Sequence, residues 1–168
     1  MLIREATAGD LPQLIRLIRL KAEFDGAAQS VRATEQKLKE TLFGRQPMAY
    51  VLLAAMDEHA EPIGFASYHF IYSTFLAQPG IWLDDLFVEG DYRNRSIGAY
   101  LMRSLCKIAT ERDCGRIDWT VAVENSPGIR FYQRMGGQLQ TQVHLCRMDR
   151  GAIARGASES SASGVCAC

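Results

Sequence analysis

In the middle of the chain, the spacing of hydrophobic residues changes from that of a strand to that of a helix and back again. Residues 81–88 form an apolar run interrupted only by Asp84 and Asp85, which predicts a strand. From about residue 97 to 113 the apolar positions recur at helical spacing, so this segment is predicted to be a helix with one buried face. Residues 116–123 alternate apolar and polar side chains, as a second strand does. Together the three segments predict a β-α-β unit.

The patterns before this unit predict a strand, two helices and an antiparallel hairpin. The first strand is expected at residues 2–5, the first helix at 11–24 behind Asp10 as its cap, and the second helix behind Thr34. Residues 50–56 and 63–70 predict the hairpin, and residues 71–80, which contain Pro79 and Gly80, are expected to be a connection. The predicted fold class is therefore α/β, with a mixed, mostly antiparallel central sheet flanked by helices.

After the unit, the chain is expected to complete one domain near residue 149. Ser126 is expected to cap a helix that Gly136 ends, and residues 138–148 are expected to form a final strand. From residue 150 the composition shifts to Ala, Ser and Gly, so residues 150–168 are predicted to be a disordered tail. Cys166 and Cys168 in that tail are interpreted as incidental rather than as metal ligands or a bridge.

Composition and charge exclude several classes of protein. The 168 residues carry 19 basic and 19 acidic side chains, so no electrostatic footprint for nucleic acid is present. The chain has no run of about 18 apolar residues and no signal peptide, so no membrane span is expected and the predicted location is cytoplasmic. The spacing of the histidines favours no metal site. Three cysteines, Cys106, Cys114 and Cys146, are expected to be buried thiols.

The turn that opens the long helix predicts an anion site. Residues 93–99 place small side chains and two arginines, Arg93 and Arg95, where helix amides point outward and the helix dipole favours negative charge. A pyrophosphate fits that chemistry, with the arginines adding charge-assisted contacts. A dinucleotide-binding fold would need Gly-x-Gly-x-x-Gly directly after the strand, and this chain does not have it.

The carboxylates Asp84 and Asp85 interrupt an apolar strand. Because successive strand residues point to opposite faces, only one of the two can face a cleft. Uncompensated burial of either would be costly, so one of them is a candidate site residue.

In these residues the chain resembles the GNAT superfamily of acetyl-coenzyme A-dependent N-acetyltransferases. That family's pyrophosphate loop reads Arg/Gln-x-x-Gly-x-Gly/Ala, which Arg93, Ser96 and Gly98 match except for serine at the first glycine. Asn94 also stands where glycine is common, and close approach of a phosphate survives if neither Asn94 nor Ser96 requires a positive φ. The similarity is closest to the spermidine/spermine and thialysine branch, over LIRLIRLKAEFD, TEQKLKETLFG, YSTFLAQPGIWLDDLFVEGDYR and NSPGIRFYQRMGG.

The resemblance implies roles for particular residues. Acetyl-CoA is the implied cosubstrate, without a metal, on the β-α-β core. Its binding residues are implied to be Leu86, Phe87, Val88, Arg93, Asn94, Arg95, Ser96, Ile97, Gly98, Ala99 and Asn125. Tyr132 is implied to protonate the departing thiolate, since a phenol of pKa about 10 holds its proton above a thiol of about 8.5. Asp84 is implied to contact the amine and Asp25 a distal ammonium of a polyamine.

The expected reaction is acetyl transfer to a small-molecule primary amine by direct attack in a ternary complex. Because an alkyl ammonium has a pKa near 10.4, it must lose a proton first, and Asp84 is the candidate acceptor. Two alternatives stay open, acetylation of a protein or an antibiotic, and a coenzyme A-binding sensor without catalysis. A homodimer is also expected from the resemblance.

Overall fold

The computed structural model describes residues 1–159, and their fold is mixed α/β. The strands are β1 Leu2–Glu5, β2 Tyr50–Ala55, β3 Gly64–Ser73, β4 Gln78–Val88 and β5 Ile117–Trp119. The helices are α1 Leu11–Phe24, α2 Glu35–Phe43, α3 Ile97–Glu111, α4 Ser126–Arg134 and α5 Arg150–Glu159. The chain divides into two compact units, Met1–Phe131 and a second that begins at Tyr132. All five strands belong to the first unit.

The sheet is five-stranded in the order β1-β2-β3-β4-β5. The first four strands are antiparallel neighbours, whereas β5 runs parallel to β4 and is reached through α3. A parallel neighbour needs such a crossover because the chain must return to the same end of the sheet. The predicted fold class and β-α-β unit are confirmed.

The core of the first unit lies between α1 and one face of the sheet. Leu14 and Leu17, one helical turn apart on α1, pack with four side chains of the sheet: Val51, Leu53, Phe65 and Phe87. Burial of one such side chain stabilises the fold by about 1.5–3 kcal/mol. Phe87 belongs to this core, so the strand that carries the candidate site is anchored by its own side chain.

The segment predicted as a connection between β3 and β4 is a continuous hairpin instead. β3 continues to Ser73 and β4 begins at Gln78, with Tyr72 opposite Pro79 and Ile71 opposite Gly80. Pro-Gly is a strong turn signal, but proline is tolerated near the start of a strand, where its missing N–H costs little. The expected connection over residues 71–80 was therefore wrong.

The C-terminal part departs further from the sequence-based prediction. β5 covers three residues rather than 116–123, and no strand forms over 138–148 in the described part of the chain. The apolar side chains there, such as Val143 at 69% and Leu145 at 63%, are exposed, so alternation alone did not secure a strand partner.

The predicted tail begins as a helix. Asp149 Oδ1 accepts a hydrogen bond from the Ala152 amide at 2.7 Å and so caps α5, which covers Arg150–Glu159 where disorder was predicted. Cys166 and Cys168 lie outside the described residues, and the domain boundary at residue 149 stays a prediction.

The expectation of buried thiols was wrong for two of the three cysteines. Cys106 and Cys146 are exposed, and Cys114 is half-buried. A cysteine near apolar residues in the sequence can still lie on the solvent side of its element, as Cys106 does on α3. Within residues 1–159, no helix combines the length and apolarity needed to cross a membrane.

Candidate active site

The pairing between the two parallel strands, β4 and β5, ends after three residues. β4 pairs with β5 through Ile81, Trp82 and Leu83 only, and within residues 1–159 the later residues of β4, Asp85 to Val88, pair with β3 alone. The register of β4 against β3 shifts at the same point, because Tyr68 is opposite Leu83 and Ser67 is opposite Asp85, which leaves Asp84 without a partner residue on β3. The second half of β4 therefore presents an unpaired strand edge, which an extended ligand can use.

The backbone between β4 and α3 adopts two left-handed residues. Asn94 has a φ of 61° and Ser96 a φ of 62°. Those are the two positions where the family favours glycine, and the condition set by the sequence, that neither requires a positive φ, is not met. Asparagine adopts this region several-fold more often than most residues, so Ser96 carries more of the strain.

The start of α3 keeps the features of an anion site. Ser96 is its N-terminal cap residue, but the serine side chain makes no capping hydrogen bond. The first-turn amides of Ile97, Gly98 and Ala99 are thus not satisfied by that side chain, and the helix dipole adds positive potential there. Ile97 is only 1% exposed, so the helix start is fixed in the core.

Gly98 is positioned against the following helix. A Cβ added to Gly98 would lie 3.4 Å from Cζ of Phe131, an ordinary van der Waals contact. Two residues that the family pattern singles out, far apart in sequence, are therefore neighbours within the first unit.

The arginines of the loop have different surroundings. Arg93 Nε donates to the carbonyl oxygen of Val88 at 2.9 Å, and its guanidinium lies 4.1 Å from the ring centroid of Phe24. Arg93 thus ties the loop to the end of β4 and to α1. Arg95 is exposed, with its guanidinium 5.5 Å from the Tyr92 ring. The predicted phosphate contacts of both arginines stay predictions.

Asn125 performs the capping role predicted for Ser126. Its Oδ1 accepts a hydrogen bond from the Gly128 amide at 2.9 Å, and α4 begins at Ser126. The cap lies one residue earlier than predicted because the longer asparagine side chain reaches an amide of the first turn. Its predicted contact with pantetheine stays a prediction.

Tyr132 lies on α4, half-buried, and is the first residue of the second unit. It follows Phe131, whose ring lies near Gly98. Gly136, with a φ of 92°, comes soon after the end of the helix, as predicted. The general-acid role of Tyr132 stays a prediction.

Two carboxylates meet on the α1 side of β4, around a lysine. Lys21 Nζ lies 3.0 Å from Asp85 Oδ1 and also bonds Asp25 Oδ2 through a short contact. Ser67 Oγ lies 3.3 Å from the other oxygen of Asp85. Asp25 is held at the end of α1, because Gly26 turns the chain with a φ of 69°.

This ion cluster lines a cavity of about 190 Å³. Apolar side chains of Ile18, Val31 and Phe65 complete its wall. Asp84 is exposed and is not among the lining residues, so the structure brings Asp25 together with Asp85 rather than with Asp84. Lys21 was not among the site residues expected from the sequence, although its i,i+4 spacing from Asp25 is a signal of such a pair.

The charge state of Lys21 follows from this environment. Burial alone would lower the pKa of Lys21, but hydrogen bonds and attraction from Asp25 and Asp85 outweigh burial and raise the pKa above its usual value. Lys21 is therefore an ammonium at every physiological pH. Among residues 1–159, no cluster of three or more His, Cys, Asp or Glu side chains could hold a metal ion.

The five-stranded mixed sheet places its parallel pair, β4 and β5, on either side of the crossover helix α3 in the chain. Residues 14–137 match the Acetyltransferase (GNAT) family, and the chain belongs to that family. It is an acetyl-transferring enzyme, and the resemblance drawn from the sequence is confirmed.

Relatives of known activity span most of the chain. It is 30% identical over 149 residues to a thialysine N-epsilon-acetyltransferase of Sus scrofa, covering 85% of this chain and 87% of the relative. It is 26% identical over 194 residues to an L-ornithine N5-acetyltransferase of Arabidopsis thaliana, covering 90% and 85%. It is also 30% identical over 156 residues to the Homo sapiens spermidine/spermine N(1)-acetyltransferase-like protein 1, covering 88% of this chain and 22% of that protein.

Solved structures share the fold. An integron cassette protein of V. cholerae superposes with a TM-score of 0.76 at 26% identity, covering 93% of this chain and 96% of that one. An aminoglycoside acetyltransferase from a soil metagenome superposes with a TM-score of 0.75 at 19% identity, covering 88% and 95%, which is a likeness of fold alone.

Proposed function

We propose that this enzyme transfers acetyl from acetyl-CoA to the primary amine of a small molecule. The observation that carries the proposal is the unpaired edge of β4 from Asp84 to Val88. On this edge β5 pairs only with the preceding residues of β4, and the chain then leads into the start of α3. The relatives are named for acetyl transfer to thialysine, to ornithine or to polyamine-like amines. These names support a small amine as the acceptor.

The residues fit the donor. The backbone of Leu86, Phe87 and Val88 would pair with the amide-bearing pantetheine arm as an added strand does. The first-turn amides of Ile97, Gly98 and Ala99 would hold the pyrophosphate, with Asn94, Ser96 and the side chains of Arg93 and Arg95 around it. The donor supplies an activated thioester carbonyl.

The chemistry removes two protons from the ammonium nitrogen, one before the attack and one as the amide forms, and supplies one proton to the sulfur. The amine nitrogen must be neutral to bond the thioester carbon, and Asp84 is the proposed acceptor of its proton. Because Asp84 is exposed and points to the face opposite Asp85, it would take the proton through water at the strand edge. As the carbon–sulfur bond breaks, the sulfur takes a proton from the Tyr132 hydroxyl, and the second proton lost by the nitrogen restores that hydroxyl through solvent. Asp25, which lines the cavity, is proposed to bind the amine substrate that accepts the acetyl group.

Substitution of Gly98 tests the coenzyme loop. Gly98→Val is expected to raise the KM for acetyl-CoA at least about tenfold while the KM for the amine changes little, because the branched side chain crowds the helix start. Gly98→Ala is the matched control: its Cβ would lie an acceptable 3.4 Å from Phe131, so it should behave nearly as wild type. Equal effects of valine on both KM values would show that this turn does not hold the pyrophosphate.

A homodimer and a cytoplasmic location belong to this proposal as well. Both come from the sequence, and both stay predictions. Sedimentation at micromolar concentration that gave only a species near 18.7 kDa would contradict the dimer.

A further inference from the structure

We propose that the Lys21-Asp25-Asp85 cavity selects a diamino acid, holding its α-carboxylate and α-ammonium while the side-chain amine is acetylated. This inference rests on the proposed function, since it names the class of amine. It assigns Lys21 as the residue that distinguishes an amino acid from a diamine of the same length.

The charges that line the cavity are complementary to those of an amino-acid head group. Lys21 is an ammonium between two carboxylates, so the cluster holds one positive and two negative charges. The head group of a diamino acid at neutral pH holds one carboxylate and one ammonium, while its second amine lies at the end of the side chain. Its carboxylate would meet Lys21, and its α-ammonium would join the Asp25 and Asp85 oxygens, so that each charge faces its opposite.

A diamine lacks the partner that Lys21 would require. Its ammonium would be attracted by Asp25 and Asp85 but would lie within a few ångströms of the Lys21 ammonium, with no anion of its own to offset that repulsion. The protein's own cation already occupies the centre of the carboxylate pair, which is the position that a site built for polyamines would leave to the substrate. The half-buried position of Lys21 limits screening of this repulsion by solvent.

The geometry of the cavity fits the head group of an amino acid. Its volume of about 190 Å³ is below the roughly 300–1,000 Å³ typical of sites for drug-sized ligands. A space of this size accommodates a carboxylate with its neighbouring ammonium. The apolar wall of Ile18, Val31 and Phe65 would contact the first methylenes.

The cavity also lies at a suitable distance from the strand edge. Asp85 lines the cavity and precedes Phe87 by two residues on β4, which corresponds to about 6.8 Å along a strand. A short methylene chain spans such a distance. An amino acid anchored at Asp85 could therefore extend its side-chain amine toward the edge of β4 proposed for the donor.

The position of Asp85 is defined from both sides. Ser67 Oγ lies 3.3 Å from one carboxylate oxygen, while Lys21 holds the other. Because Ser67 is the residue of β3 directly opposite Asp85, the hydroxyl fixes the carboxylate without occupying the cavity. The ion triad is thus preorganised for a charged head group before any substrate arrives.

The test compares two substrates that differ by one carboxylate, L-ornithine and 1,4-diaminobutane. The full-length wild-type chain is expected to have a kcat/KM at least tenfold higher for ornithine, with the acetyl group on the side-chain nitrogen. Lys21→Met, which keeps the length but removes the charge, should lower kcat/KM for ornithine at least tenfold and leave or raise that for diaminobutane.

Two further variants serve as controls for the loss of charge at Lys21. Lys21→Arg keeps the charge and should keep the preference for ornithine, and Lys39→Met removes an exposed lysine of α2 outside the cavity and should change neither value. If Lys21→Met proves unstable, the comparison of Lys21→Arg with wild type still decides, because loss of the preference while the charge is kept would overturn the proposal.

The outcomes separate this inference from the function on which it rests. Acetylation of diaminobutane as efficient as that of ornithine, or a preference that survives Lys21→Met, would overturn the role of Lys21 and leave the acetyltransferase intact. Acetylation of ornithine at its α-nitrogen would overturn the proposed orientation. Saturable acetyl-CoA binding without acetylation of either amine would overturn the proposed function itself.

Discussion

Backbone strain at single residues marks the loop proposed for the pyrophosphate. Asn94 and Ser96 both adopt the left-handed region, in a segment where small residues and exposed amides are required. Observed strain of this kind is frequent where a ligand must approach the backbone closely. The sequence could identify the loop from its residue types, but not that both positions need a positive φ, because φ depends on how the loop enters α3.

Ser96→Gly should stabilise the protein. Left-handed backbone costs an L-residue roughly 1–2 kcal/mol, and glycine avoids this cost. The greater freedom of glycine in the unfolded chain offsets about 0.5–1 kcal/mol, so a gain of about 0.5–1 kcal/mol in the free energy of unfolding is expected. Denaturant titration measures it. Asn94→Gly is the control and should gain less, because asparagine tolerates this region; equal or reversed effects would contradict the account of strain.

Tyr132→Phe tests the proton donor. The substitution removes one oxygen and keeps the ring, so turnover should fall about 10²-fold or more, within the range of a general acid, while the affinity for coenzyme A stays nearly unchanged. Single-turnover kinetics and binding titrations would measure the two quantities. Near-normal turnover with chemistry shown to be rate-limiting would mean that Tyr132 is structural.

Among the elements, the corner between β1 and α1 depends on one buried acid. Asp10 was predicted to cap α1, but its carboxylate instead accepts two hydrogen bonds from Arg4, at 2.6 and 2.8 Å, and one from the Thr7 amide at 2.7 Å. The bonds from Arg4 are the main cause that lowers the pKa of Asp10 well below its usual range, against the opposing effect of burial.

Asp10→Asn should therefore weaken the fold in a pH-dependent way. A lowered folded-state pKa means that the unfolded chain binds more protons, so the contribution of Asp10 is complete only above about pH 5 and declines as the pH falls further. The variant should lose about 1–3 kcal/mol of unfolding free energy at pH 7, with a smaller difference near pH 3. Urea titrations at the two pH values measure it, and a constant difference would contradict the linkage.

Elements with a complete local signal were predicted well. α1 covers Leu11–Phe24 as predicted, because an apolar stripe is bounded by Pro12 near its start and Gly26 after its end. The β3-β4 hairpin was missed because Pro79 and Gly80 signal a turn locally, whereas pairing with β3 decides the structure.

At the candidate site, too, local sequence patterns predicted part of the arrangement, and contacts between distant residues decided the rest. Alternation along β4 placed Asp84 and Asp85 on opposite faces, but the register shift at this point and the lysine of α1 decide which carboxylate lines the cavity. Lys21 and Asp85 are far apart in sequence, so their pairing could not be read from spacing.

At the scale of the molecule, the fold brings two functions to one strand. The backbone edge of β4 serves the proposed donor, while Asp85 on the same strand serves the proposed acceptor. Because Phe87 of β4 is buried in the core with α1, the two sites are held at a fixed spacing by packing rather than by loops.

The proposed acetyl transfer is tested most directly by measuring coenzyme A thiol release together with the mass of the amine product, over diamines, diamino acids, peptides and aminoglycosides. We expect thiol release matched by one acetylated small amine, with little activity on peptides or aminoglycosides. Saturable acetyl-CoA binding without amine-dependent thiol release for any acceptor would contradict it and favour a coenzyme-binding sensor.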